Sequence, residues 1–481
     1  MDMKNTHEAA QSGLANILAR QRAAHGAQPN PSYQLRIDRL RRLAELTQRH
    51  ESEFVDAIRS DFGHRSAQET RLTDLLLVSS SIKYARRHLR GWMKTRRAST
   101  ALHFLPGRNR LMRQPLGVVG ILSPWNYPYQ LAMGPAIAAI AAGNRVMIKP
   151  SEFTPKFSAL LERLVALHFE SDELAVVNGG LDVGEAFSGL PFDHLVFTGS
   201  TATGRQVALA AARNLTPVTL ELGGKSPAII DPSANIASAA RSLVFGKLLN
   251  AGQTCLAPDY VLVPANKRDA LVKEFSQAAH HMYGERADNP DYTAIISERH
   301  FRRLQTLVDE AVAGGARAVY PTFGASLADV QGGARKFPPT LMLDAKPGMR
   351  VMREEIFGPI LPIVTYGGDV QEAIDFVNSR DRPLALYWYG QDSRNRDRVL
   401  ERTVSGGVTI NDCIWHFAQE SQPFGGVGPS GMGAYHGEWG FRAFSREKPV
   451  FIQARLNGAG LLHPPYGAMF ERMLRLLRAI A

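Results

Sequence analysis

Hydrophobic and polar positions change period twice along the chain. From about residue 33 to residue 95, Leu35, Ile37, Leu40, Leu43 and Leu46 follow helical spacing with charges between them, and Gly63 and Gly91 punctuate the pattern. At Ala98–Gly107 a short apolar run, Pro106-Gly107 and a second run through Met112 predict a β-hairpin over 98–115, an excursion from the first unit. Strands then alternate with helices. Leu116–Leu122, Arg145–Ile148, Leu174–Val177, Leu195–Thr198 and Val218–Leu222 are apolar and β-branched, as strands buried on both faces must be, so a parallel sheet is expected. Alternation resumes from Asn235 to Asn411, with strands at Tyr260–Val263 and Leu384–Tyr389, and predicts a second α/β unit. The fold class is therefore α/β, two doubly wound parallel-sheet domains plus a small β arm. A site belongs in the crevice between them. Near the end, Glu447–Arg455 is extended, and Met469–Ile480 is amphipathic. Its apolar arc is Met469, Phe470, Met473, Leu474, Leu477 and Ile480; Glu471, Arg472, Arg475 and Arg478 form the polar one.

Composition narrows the classes. A chain of 481 residues, 44% hydrophobic, is too long for one core and should divide into domains. Two cysteines, Cys255 and Cys413, exclude a disulfide scaffold, and no Cys-x-x-Cys accompanies either, so no metal centre is expected. The N-terminal residues lack the 7–15-residue apolar core of a signal peptide, and the longest apolar stretch, Ala136–Ala142, is far short of the roughly 20 residues a membrane span needs. The expectation is a cytoplasmic protein without a transmembrane segment. The formal charge of +11 sits at Arg39, Arg41, Arg42, Arg86, Arg87, Lys94, Arg96 and Arg97, on helical stretches, with no stacking-aromatic module; nucleic-acid binding is not expected.

The chemistry lies in Glu221-Leu-Gly-Gly-Lys-Ser226, followed 34 residues later (255 − 221) by Gly252-Gln-Thr-Cys255. A thiol is the strongest neutral-pH nucleophile among side chains, and a carboxylate beside it can activate the water that releases a covalent acyl group. Five further segments complete an ordered set: Pro124-Trp-Asn-Tyr-Pro128, Lys149-Pro-Ser-Glu152, Phe197-Thr-Gly-Ser200 continuing to Gly204, Glu354-Glu-Ile-Phe-Gly-Pro359 and Pro423-Phe-Gly-Gly-Val-Gly428. In this order they resemble the aldehyde dehydrogenase superfamily over about residues 35–455, and its class 3 branch in particular; bacterial coniferyl aldehyde dehydrogenases are similar.

The resemblance implies NAD(P)-dependent oxidation of an aldehyde to its acid through a thiohemiacetal and a thioester. It implies Cys255 as nucleophile, Glu221 as general base, and Asn126 with the Cys255 N–H as oxyanion donors. Trp125, Lys149, Glu152, Gly199, Ser200, Gly204, Glu355 and Phe357 would face NAD or NADP. Tyr127, Trp415, His416 and Phe417 would line the substrate funnel, with core packing an equal reading for His416. The implied division is a helical part of the cofactor domain (1–97), an oligomerisation hairpin (98–115), the cofactor domain (116–220), a catalytic domain (221–415), a return with an oligomerisation strand (416–457) and a tail (458–481). A homodimer follows from the class 3 likeness. The substrate expected is a bulky aromatic aldehyde such as coniferyl aldehyde. Alternatives are aliphatic or terpenoid aldehydes, a CoA-acylating enzyme, against which Glu221 speaks, and a non-catalytic binding protein. Two look-alikes are set aside: Gly426–Gly431 matches G-x-G-x-x-G but follows no strand and contains Pro429, and Gly224-Lys225-Ser226 lacks the leading glycine of a P-loop, since residue 219 is Thr.

Overall fold

The computed structural model describes residues 3–285, 289–322 and 335–480, with side chains from residue 12 to residue 479. The opening of the N-terminal stretch and the Ile480 side chain lie outside the described residues. Strands Val118–Leu122, Arg145–Lys149, Leu174–Val176, His194–Thr198 and Val218–Glu221 run parallel in one six-stranded sheet, and Gly431–Met432 closes its edge antiparallel to Val218–Glu221. The first four of these parallel strands are buried along their whole length, which is why they read as unbroken apolar runs rather than as alternation. A second sheet of seven strands contains Pro227–Ile230, Tyr260–Pro264, Thr340–Leu343, Ile360–Tyr366, Ala385–Tyr389 and Gly407–Ile410 in parallel, with Arg317–Val319 antiparallel at one edge. This is the α/β architecture with two parallel sheets.

The helix Pro128–Ala142 runs through the middle of the first unit with all fifteen residues buried. Pro128 opens it without forfeiting a helical hydrogen bond, and Gly143, at φ 97, ends it in the left-handed conformation that a residue with a side chain avoids. Among the described residues no helix is long and apolar enough to cross a membrane, and the apolar Ala136–Ala142 stretch is core.

The third sheet joins Arg96–Ala98, Arg108–Pro115 and Ser445–Ile452 antiparallel. The first arm of the expected hairpin is shorter than its apolar run: Leu102–Phe104 coils into a single 3-10 turn ahead of Pro106, whose ring cannot extend a ladder. Arg113, almost wholly buried, ties this sheet to the body through Glu438 (3.0 Å) and the Trp92 carbonyl (3.0 Å), and pairs within the sheet with Glu447 (3.1 Å). The C-terminal helix Ala468–Ile480 rests against the Leu102–Phe104 and Ala459–Leu462 turns, with Phe470, Met473, Leu474 and Leu477 partly buried and Leu476 exposed.

Candidate active site

The first sheet presents the C-terminal ends of its strands to the crevice, and the second presents segments that lead into its strands. After Val118–Leu122 comes Trp125-Asn126; after His194–Thr198 come Gly199 and Ser200; Val218–Glu221 ends on Glu221 itself. From the other side Cys255 precedes Tyr260–Pro264, and Glu355 precedes Ile360–Tyr366. One cavity of about 290 Å³ is lined by Trp125, Asn126, Thr198, Gly199, Ser200, Glu221, Cys255, Glu355 and Phe357, and Arg303 and His300 complete it.

The turn before the thiol is unusual. Asn250, Ala251 and Gly252 all take left-handed backbone conformations, at φ 53, 51 and 73. Such a run costs free energy that neighbouring contacts must offset. Gln253 supplies several: its amide donates to the carbonyls of Asn250 (2.9 Å) and Ala294 (3.1 Å) and accepts from the N–H of Ile296 (2.9 Å). The Asn126 side chain donates to the Gln253 carbonyl at 3.1 Å, which leaves its second amide hydrogen free.

Burial sets the electrostatics. Both Glu221 oxygens are buried without a hydrogen-bond partner, and burial raises this carboxyl well above its usual 4.5. The Glu355 carboxyl rises to about 8, through burial and then the charge of Asp259. The Cys255 thiol is held well above its ordinary value by burial, then by Glu355 and Glu221. Glu355 is fixed from below: Asp259 accepts from the Ile356 N–H (3.2 Å) and pairs with Lys225 (3.3 Å), while Arg303 donates to the Ile356 carbonyl (2.8 Å). Gly223 gives the carboxylate its room, since a Cβ there would fall 1.9 Å from Oε2.

Other expected residues sit elsewhere. Lys149 and Glu152 pair with each other at 3.0 Å, outside the thiol cavity, with Lys149 buried and Glu152 exposed. Gly204 lies inside the helix Thr201–Ala212, where a Cβ would meet Leu222 at 2.5 Å, so it serves close helix packing; Ser200 caps that helix by accepting from Thr203 N. A narrower apolar branch of about 80 Å³ opens from Cys255 and Glu221 and is lined by Tyr127, Trp415 and Phe417 with Leu72, Leu77, Gln130, Phe245, Leu249 and Phe424. Trp415 stacks on Phe245 at 5.8 Å, and the Tyr127 hydroxyl meets Thr254 Oγ1 at 2.6 Å. His416 is not on this wall. Its ring doubles back against Gly407, its Nδ1 meets Thr409 Oγ1 at 2.8 Å, and burial lowers it to about 4, so it is neutral core. The sequence reading missed His300, Arg303 and Phe245, because each lies on an amphipathic helix with no marker beyond its period.

The relatives of the chain share this plan. The aldehyde dehydrogenase family matches residues 2–450. A probable coniferyl aldehyde dehydrogenase of Caulobacter vibrioides is 50% identical over 467 residues, 96% of each chain. A coniferyl aldehyde dehydrogenase of Pseudomonas sp. is 46% identical over 467 residues, again 96% of each chain. Among solved structures, the substrate-bound state of Staphylococcus aureus AldH superposes with a TM-score of 0.90 at 38% identity, covering 96% of this chain and 99% of that one. A match that spans both sheets, the β arm and every segment of the crevice makes the chain an enzyme of the aldehyde dehydrogenase family.

Proposed function

We propose that the protein oxidises a flat aromatic aldehyde of the coniferyl type to its carboxylic acid, with NAD or NADP as oxidant, through a thioester on Cys255. The observation that carries this reading is the meeting of a thiol, a side-chain amide and a carboxylate with two unpartnered oxygens in one cavity. The Cys255 thiol gives up its proton to solvent, the sulfur forms a bond to the aldehyde carbon, and the carbonyl electrons move onto oxygen. The free N–H of Asn126 and the backbone N–H of Cys255 donate to that oxyanion. Collapse re-forms the carbonyl, expels hydride and leaves the acyl group on sulfur. Glu221 then takes a proton from water as the water oxygen attacks the acyl carbon, which releases the acid and restores the thiolate.

NAD or NADP, when bound, takes up the expelled hydride. Its fit rests on Glu355 Oε1, buried without a partner above the space that Gly223 leaves open. Glu355, Phe357, Trp125, Gly199 and Ser200 would hold the nicotinamide side, and Lys149 with Glu152 the adenosine ribose. Gly204 lets the helix behind Ser200 approach.

The aromatic branch and the names of the relatives at 46–50% identity favour a phenylpropenal. A long apolar aldehyde is the second reading, supported by the nearly all-apolar lining and by a 4,4'-diaponeurosporen-aldehyde dehydrogenase of Staphylococcus aureus at 39% identity. NADH or NADPH formation across a panel decides. Coniferyl aldehyde is expected to exceed octanal in kcat/KM by at least about tenfold, and the reverse order would hand the assignment to the apolar reading. Cys255→Ala should abolish turnover and keep cofactor binding; normal turnover in that variant would end the covalent mechanism. The reading includes a cytoplasmic homodimer, supported by two free cysteines and by the unpaired edge of Ser445–Ile452 with Phe451 and Ile452 exposed.

A further inference from the structure

Beneath the oxyanion pocket lies a set of buried charges that the chemistry above does not use. Arg65, fully buried, donates from one nitrogen to the backbone carbonyl of Asn126 at 2.8 Å and from another to Asp74 at 2.9 Å. Its guanidinium stacks between the rings of Phe62 and Tyr127, 5.0 Å from each centroid. Asp74, also fully buried, spends its other oxygen on the N–H groups of Tyr129 and Gln130, both at 3.1 Å. Those two groups belong to the first turn of the Pro128–Ala142 helix, which begins two residues after Asn126. The Asn126 carbonyl receives a second donor, Asn250 Nδ2 at 3.0 Å, from the left-handed turn that leads to the thiol. Four residues beyond Arg65, Glu69 accepts from the Asn250 N–H (3.2 Å) and from the Thr293 hydroxyl (2.6 Å).

A buried arginine on a backbone carbonyl is a costly way to hold a loop that only needs to be packed, because both charges of the pair must leave water. What the arrangement supplies is direction. The peptide carrying Asn126 is gripped at its carbonyl from two sides, and the helix that follows is anchored by the same carboxylate that orients the arginine. With the peptide plane fixed, the amide side chain has one hydrogen committed to Gln253 and the other uncommitted in the cavity that Asn126 shares with Cys255. We infer that Arg65, oriented by Asp74, is a positioning residue that aims the Asn126 amide at the developing oxyanion; this rests on the role proposed for Asn126 above.

The test compares variants in two backgrounds, with coniferyl aldehyde and saturating NAD. Arg65→Met should lower kcat by about 10- to 100-fold, since a misaimed oxyanion donor costs that much, while the KM for NAD stays within about twofold. In an Asn126→Ala background the same substitution should cost less than about threefold, because the group it aims is gone. Equal losses in both backgrounds would overturn the inference. If Asn126→Ala alone leaves kcat unchanged, the oxyanion role itself falls, and this inference with it. Because Arg65→Met strands Asp74 as an unpaired buried charge, the double variant Arg65→Met, Asp74→Asn, whose amide oxygen can still accept from the Tyr129 and Gln130 N–H groups, is measured beside it. Removing both charges should restore the melting temperature and not kcat. Recovery of both together would make the pair purely structural and overturn the inference.

Discussion

At the scale of single residues, the informative groups are those that the fold leaves without partners. Glu221 has no hydrogen bond to either oxygen and a carboxyl raised by burial. In the unfolded chain this group ionises near its ordinary 4.5. The folded state holds the proton longer, so stability is fully present below that pH and is lost as pH rises toward the folded value. Glu221→Gln should therefore melt higher than the parent at pH 8, with the gap closing toward acid. The same variant should release up to one equivalent of NADH per site in a burst and then turn over very slowly, since acylation needs no base at that position. An unchanged steady-state rate would assign the water to another group. The residue types of this site were legible in the sequence because Cys and Glu sat in short glycine-bearing segments and Asn in one bounded by two prolines. What no segment encodes is which partner each lacks. The reading of His416 shows the limit: its neighbours Trp415 and Phe417 do face the apolar branch, while the chain reverses between them and turns its ring onto Gly407.

At the scale of elements, the turn Asn250–Gly252 is the most exacting piece of backbone. Gly252 sits at φ 73, and a Cβ there would lie 2.4 Å from the Gly358 carbonyl oxygen and 2.9 Å from that of Lys247, both backbone atoms that cannot yield cheaply. Gly252→Ala should cost about 2–3 kcal/mol of stability and displace both Cys255 and the Gly358 segment next to Phe357. Urea denaturation with a parallel assay would read both effects, and a variant of parental stability would refute the packing argument. Buried parallel strands were read correctly in place because each is a continuous apolar run bounded by turn residues. Two other elements were not legible. Arg71–Leu76 forms a π-helical turn, and the spacing of Leu72, Leu75 and Leu76 does not distinguish a five-residue hydrogen-bond step from a four-residue one. The Leu102–Phe104 turn carries residues equally suited to a strand, and only the sheet it fails to join decides the matter.

At the scale of the whole molecule, the arm Arg96–Ala98, Arg108–Pro115 and Ser445–Ile452 extends from the body with one long strand edge unpaired and Phe104, Phe451 and Ile452 exposed. Light scattering at micromolar concentration should give the mass of two chains, and Phe451→Lys should shift it toward one; a parent that remains a monomer would remove the dimer from the reading. Within one chain, the bonds from Arg65 and Glu69 span 61 residues to Asn126, 181 to Asn250 and 224 to Thr293. Contacts of that separation slow folding, because the entropy of the intervening loop is lost before any contact rewards it. Glu221 ends a strand of one sheet and Cys255 leads into a strand of the other, and their site is complete only when helices made at the start of synthesis have found a turn made much later. Unfolding confined to the Arg65–Glu69 stretch should silence the chemistry without touching a residue that lines either cavity.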